Sequence, residues 1–199
     1  VGDLVRAEIT KQTALGKVME AYTTHGQLIP DSIVDELVDK ETQSSQNGYI
    51  LDGYPRTLRQ AQRIDEHYPT LLGINIVLER WVSIEKLLGR RHCVTCHRSF
   101  NMADIVQGDY HMPAILPSPS TCPVGITRCQ EEGKLELRSD DTRETIERRY
   151  DVFERNNQPI LDYFAAKNKL VTFHVKRGVD DTDELLRVML DKHKQMTNI

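Results

Sequence analysis

The chain lacks the features that would mark it as a membrane protein, a disulfide scaffold or a nucleic-acid binder. No stretch approaches the roughly 18 consecutive apolar residues that a spanning helix requires, so no membrane partner is expected. Its 26 Lys and Arg are outnumbered by 30 Asp and Glu, a formal net charge of −4, so no bulk positive field draws in a nucleic acid. Cysteine is scarce, four among 199 residues. All lie between Cys93 and Cys129, which favours a metal or redox feature of one segment over a whole-chain disulfide framework. No Gly-x-x-x-x-Gly-Lys-Ser/Thr string occurs, the loop whose backbone N–H groups and lysine cradle the phosphates of a triphosphate. The chain opens at Val1 without methionine or leader-like segment. The expectation is cytoplasmic, with an organelle left open because a targeting peptide could precede Val1.

What is present has the balance of a soluble globular protein, 39% hydrophobic and 28% charged, and 199 residues allow one principal core with a small insertion. Helical spacing of apolar residues runs over 2–12, where Arg6 lies, and over 15–25. The short apolar loop Gln27-Leu28-Ile29-Pro30 leads to Asp31, a good N-cap for a helix carrying Ile33, Val34, Leu37 and Val38. Gly73–Leu78 reads as a buried strand, 82–88 as a helix and Leu170–Val175 as a further strand. Asp141 and Glu144 suit a helix start, with Ile146, Tyr150 and Phe153 as its buried stripe and helix continuing past Pro159. An amphipathic helix over about 182–193 closes the chain.

The chain is organised around Gly48–Gln60, which reads as a short buried strand ending in Asp52, a Gly-Tyr-Pro turn carrying Arg56, and a helix start. An acid at the carboxyl end of such a strand lies where open α/β sheets bind ligands, and in nucleotide enzymes it holds Mg²⁺ or its waters. A planar guanidinium beside it suits a phosphate. Thr57 and Gln60 have capping-box spacing, which would fix where the Gln60 side chain points. The plain alternative is an ordinary strand, turn and helix without ligand. Arg90, Arg91, Arg98, Arg138, Arg143, Arg148 and Arg149 crowd the middle of the chain, either for a small polyanion or as a solvated helix face.

Residues 92–137 change character, with prolines at 113, 117, 119 and 123, and read as a separate lid. Cys93-Val94-Thr95-Cys96 has zinc-ligand spacing, and Cys122 and Cys129 could complete four thiolates. The alternatives are reduced, unliganded thiols or, least favoured in a cytosolic setting, a disulfide. His92 and His97 could substitute as ligands or simply be solvated.

The string Leu-Asp-Gly-Tyr-Pro-Arg-Thr over 51–57 resembles the signature of the adenylate kinase family. Six further matches follow in family order: Gly2-Asp3, Arg6, Gln60, Gly89-Arg90-Arg91, Arg138 with Asp140-Asp141, and Arg149. The resemblance implies a P-loop NTPase-type α/β fold: a three-layer parallel sheet with helices on both faces and a small inserted lid. The division it implies is a core with the monophosphate segment over 1–91, a lid over 92–137 and a core over 138–199. The family's phosphate loop and central strand precede the segment matching Val1, so they are expected to lie outside this chain.

The reaction implied is reversible transfer of the γ-phosphoryl group from Mg-bound ATP to AMP by a monomeric enzyme. Gly2, Arg6, Gly53 and Arg56 would serve the acceptor phosphate, and Gln27, Leu28, Ile29 and Gln60 the acceptor base. Asp52 would orient the Mg²⁺ waters, and Arg90, Arg91, Arg138 and Arg149 would surround the moving group, leaving Arg148 on the surface. Lys86 and Gly178 would lie by the donor base. Relatives often carry an arginine at the position of Lys86 and a hydroxyl residue at that of Val1. Those departures keep open GTP as donor and UMP or CMP as acceptor, and the missing loop keeps open a nucleotide-binding domain without activity.

Overall fold

A computed structural model describes residues 1–24, 27–45, 48–68, 72–118, 135–138 and 141–197. Cys122, Cys129, Asp140 and the stretch 119–134 of the expected lid lie outside the described residues. The chain divides into two compact units, Val1–Thr70 with Val152–Lys167, and Leu71–Asp151 with Asn168–Ile199.

The first unit is helical. Helices α1 (Gly2–Thr10) and α2 (Ala14–Thr24) meet at Thr13, whose hydroxyl donates to Glu8 Oε2 at 2.7 Å and accepts from the Gly16 N–H at 2.9 Å. A Cβ at Gly16 would stand 2.1 Å from the Glu8 carbonyl oxygen, so the closeness of the two helices depends on glycine there. Val5, Met19 and Leu37 form one core cluster, and Val34, Val38, Tyr54 and Ile64 another, with Val1 and Ile29 packed against both. The second cluster seats α3 (Asp31–Ser44) and α4 (Leu58–His67).

The strand expected over Gly48–Asp52 is not formed: no described segment pairs with it, and Ile50 is 95% exposed. A strand needs a ladder partner as well as an apolar sequence, and local residue types do not supply one. Asp31 is likewise not the cap of α3. Pro30 occupies that position, and the Asp31 side chain turns to residues 57–60 instead.

The second unit holds the parallel pair β1 (Gly73–Val77) and β7 (Leu170–His174), in register Gly73↔Leu170 through Val77↔His174. Strand β1 is less buried than its sequence predicts, with Ile74 and Ile76 38% and 52% exposed, because β7 is its only strand neighbour among the described residues. Helix α5 (Arg80–Gly89) runs directly into β2 (Arg90–Cys93), which pairs antiparallel with β3 (Ser99–Asn101) and β6 (Leu135–Glu136).

Between β3 and β6 a hairpin of β4 (Ile105–Gln107) and β5 (Tyr110–Met112) buries Ile105, Tyr110 and Met112 against Val82, with Leu78, Trp81 and Val175 alongside. Trp81 meets Tyr110 edge to face, centroids 5.6 Å apart, and the Lys176 ammonium lies 4.1 Å from the Tyr110 ring centre.

Helix α6 (Arg143–Ala166) continues through Pro159 as the sequence predicts. Its expected stripe holds for Ile146, 2% exposed, but Phe153 is 50% exposed. Its start is capped by the Thr142 hydroxyl, which accepts from the Thr145 N–H at 3.3 Å, rather than by Asp141 or Glu144. A 3₁₀ turn (Gly178–Asp181) then leads into α7 (Thr182–Thr197).

Candidate functional site

In the first unit, the signature turn is built on glycine and filled by arginine. Gly53 has φ +69°, a conformation glycine adopts at little cost. The Arg56 guanidinium folds back over it, with Nε donating to the Gly53 carbonyl oxygen at 2.8 Å and Nη2 3.1 Å from where a Cβ would stand. Gly2 does the same for Arg6, whose Nη1 lies 3.3 Å from a hypothetical Cβ while the guanidinium pairs with Asp3 one helical turn away. Both arginines stay exposed. Gln27 and Leu28 are exposed as well, while Ile29 packs into the core.

Gln60 is held at both ends of its carboxamide. Oε1 accepts from the Arg56 N–H at 2.7 Å and Nε2 donates to Asp31 Oδ1 at 2.6 Å. The capping box is thus half as predicted. The Thr57 hydroxyl accepts from the Gln60 N–H at 3.2 Å, but the Gln60 side chain returns to Arg56 instead of Thr57. The residue is buried, 3% exposed.

Behind this turn stands a polar ladder that sequence reasoning missed. Asp31, Asp35 and Asp39 recur every fourth residue on α3, and Arg59 and Arg63 do so on α4, a spacing that places each set on one helix face. Arg59 reaches Asp31 at 2.8 Å and Asp35 at 2.7 Å; Arg63 reaches Asp35 at 3.4 Å and also pairs with Asp39. The Tyr54 hydroxyl donates to Asp35 at 2.8 Å, and Tyr68 to Asp39 at 3.1 Å. Burial, then the Asp35 hydrogen bond, push the Tyr54 phenol well above its ordinary pKa. Matched i, i+4 spacing of opposite charges was the available signal.

Asp52 ends exposed, its carboxylate without a partner among the described residues and its carbonyl oxygen accepting from the Val1 nitrogen at 3.0 Å. Magnesium keeps several waters and takes one or two carboxylates beside substrate phosphates, so a lone exposed carboxylate fits it. Among the described residues no group of three His, Cys, Asp or Glu is placed to bind a metal. Cys93 is fully buried beside Phe100, packed as a small hydrophobe, and Cys96 is half-buried alongside.

In the second unit Arg90, Arg91 and Lys86 are tied into the fold. Arg90 grips Asp141 with two hydrogen bonds, Nε at 2.8 Å and Nη2 at 2.6 Å, across 51 residues of sequence, and the Asp141 side chain is 1% exposed. Arg91 donates through Nη1 to the carbonyl oxygens of Leu88 and Arg90 at 2.9 and 2.8 Å.

Lys86 spends its three donors on the carbonyl oxygens of Ala103, Met112 and Pro113, at 2.8, 2.8 and 3.1 Å. Burial lowers its pKa, with Asp104 opposing. Gly89 admits no side chain, since a Cβ would meet Ala103 and Asn101 atoms at 2.6 Å. Arg138 is half-buried and Arg149 exposed, while Arg148 pairs with Glu144 on the surface at 2.8 Å. Gly178, φ +66°, opens its turn beside Met112, whose Cγ would lie 3.8 Å from a Cβ there. Asp181 closes that turn: burial works to raise its carboxyl, but the N–H groups of Arg177 and Lys176 and the Arg177 guanidinium hold it below the ordinary value.

Residues 1–169 match the adenylate kinase family profile. The chain is 33% identical over 199 residues to a GTP:AMP phosphotransferase of Plasmodium falciparum, covering 98% of this chain and 85% of that protein. It is 32% identical over 205 residues to chloroplastic adenylate kinase 1 of Arabidopsis thaliana, covering 100% and 70%, and 33% identical over 188 residues to an adenylate kinase of Acetivibrio thermocellus, covering 91% and 80%.

Proposed function

Because this chain belongs to the adenylate kinase family, we propose that it catalyses reversible γ-phosphoryl transfer from a Mg-bound nucleoside triphosphate, ATP, to AMP, giving two ADP. The bond from the γ-phosphorus to its β-bridging oxygen breaks, and one to an oxygen of the AMP phosphate forms. Such a reaction needs placement and charge neutralisation more than a protein nucleophile. The observation that carries the reading is the signature turn, where Arg56 folds over Gly53 and leaves its guanidinium exposed for an anion.

Arg6 and Arg56 hold the acceptor phosphate, with Gly2 and Gly53 giving them room. Gln60, with Gln27, Leu28 and Ile29, meets the acceptor base. Arg90, Arg91, Arg138 and Arg149 neutralise the phosphoryl group in flight, and residues 92–137 act as the lid between core segments 1–91 and 138–199. Asp52 orients the waters of the metal, which when bound neutralises part of the triphosphate charge. Gly178 approaches the donor base.

A second reading, GTP as donor, is supported by Lys86. Its ammonium is spent on three carbonyl oxygens, which leaves it none of its three donors for a base, and a relative named GTP:AMP phosphotransferase is 33% identical. The test is diphosphate formation by the full-length protein with ATP or GTP as donor and AMP, UMP or CMP as acceptor. AMP-dependent transfer is expected. Preference for UMP or CMP overturns the acceptor, a GTP preference installs the second reading, and no transfer to any acceptor overturns both.

A further inference from the structure

We infer that Asp31 is a positioning residue that fixes which end of the Gln60 carboxamide faces which way, and thereby sets the preference for adenine over a base of opposite hydrogen-bond polarity. The inference rests on the proposed acceptor role of Gln60. A carboxamide carries a donor and an acceptor of nearly equal size, so its orientation is decided by its partners.

At Gln60 both partners are unambiguous. The Arg56 backbone N–H only donates, so the atom 2.7 Å from it is the oxygen. The Asp31 carboxylate only accepts, so the atom 2.6 Å from it is the nitrogen. A flip would set nitrogen against N–H and oxygen against carboxylate, two repulsive contacts in a residue that is 3% exposed.

Asp31 is itself held in place. Its other oxygen, Oδ2, accepts from the Thr57 hydroxyl at 3.1 Å and from Arg59 Nε at 2.8 Å. The orientation is therefore set before any ligand arrives and needs no reorganisation on binding. The second N–H and second lone pair of the carboxamide then stand in a fixed order. For a base docked with its 6-substituent against Oε1 and its N1 against Nε2, that order suits the donor N6 and acceptor N1 of adenine and opposes the acceptor O6 and donor N1 of hypoxanthine.

Asp31→Asn tests this, because a carboxamide at 31 can face Gln60 with its nitrogen as well as its oxygen, which removes one of the two repulsive contacts that oppose the flip and leaves only the one at the Arg56 N–H. AMP and inosine monophosphate are compared by calorimetric binding to the full-length protein without donor, and by kcat/KM with it. In Asp31→Asn the AMP-to-inosine monophosphate ratio is expected to fall about tenfold or more, inosine monophosphate gaining as AMP loses. Arg63→Ala removes the ladder contacts of Asp35 and Asp39 without touching Asp31 or Gln60. It is expected to lower Tm and leave the ratio unchanged.

An unchanged ratio in Asp31→Asn, beside clear discrimination by the wild type, overturns the positioning role alone. An equal fall of the ratio in Arg63→Ala overturns it too, because the effect would then follow general loosening. Failure of the wild type to bind either monophosphate overturns the proposed acceptor role, and this inference with it.

Discussion

The two units use arginine in opposite ways. In the first, Arg6 and Arg56 rest on partners three residues away and keep their guanidinium groups exposed, while the load between α3 and α4 is carried by Arg59 and Arg63 in the Asp31, Asp35 and Asp39 ladder. In the second, residues that look like phosphate ligands carry load themselves. Arg90 is clamped to Asp141 across 51 residues and Lys86 ties α5 to the β4–β5 hairpin. The first unit separates the cations that hold the fold from those proposed to face a ligand; in the second, Arg90, also proposed to face a ligand, holds the fold itself. Substitutions should therefore split, with donor-side changes costing stability and acceptor-side changes costing binding.

The largest effect is expected from Asp141→Ala. It strips a half-buried guanidinium of its bidentate partner and should cost about 2 to 3 kcal/mol in denaturant unfolding, discounted for the exposure Arg90 retains. A loss near zero would show that Arg90 is no strut. Gly89→Ala follows at about 2 kcal/mol, since its new methyl overlaps Ala103 and Asn101 where α5 passes into β2.

Tyr54→Phe is smaller, about 1 kcal/mol for one buried hydrogen bond to Asp35. It carries a pH signature. The folded-state phenol titrates above its unfolded value of about 10, so its contribution is complete below pH 10 and is lost as pH climbs from there towards the folded value. Wild type should lose stability over that alkaline range and the variant should lose less, which equilibrium unfolding across pH 9 to 11 would show. The smallest stability effect belongs to Arg6→Ala, within about 0.5 kcal/mol because its pair with Asp3 is exposed. AMP affinity should nevertheless fall about tenfold by calorimetry.

What was legible in the sequence was local. The helices, strands β1 and β7, the passage of α6 through Pro159 and the 51–57 signature all depend on neighbouring residues. What was not legible depends on distant partners. Gly48–Leu51 has strand-like residues, but pairing is a property of another segment. Asp31 and Asp141 look like helix caps in isolation, and only folding reveals that Gln60 and Arg90 claim them. Lys86 looks available for a base until the carbonyl groups of Ala103, Met112 and Pro113 close on it.

The most direct test of the division between the units is Arg138→Ala, assayed for kcat with ATP and AMP and for AMP binding by calorimetry. With the second unit neutralising the moving phosphoryl group and the first holding AMP, kcat should fall about a hundredfold or more while AMP affinity changes by less than about threefold. Equal losses in kcat and AMP affinity would contradict that division.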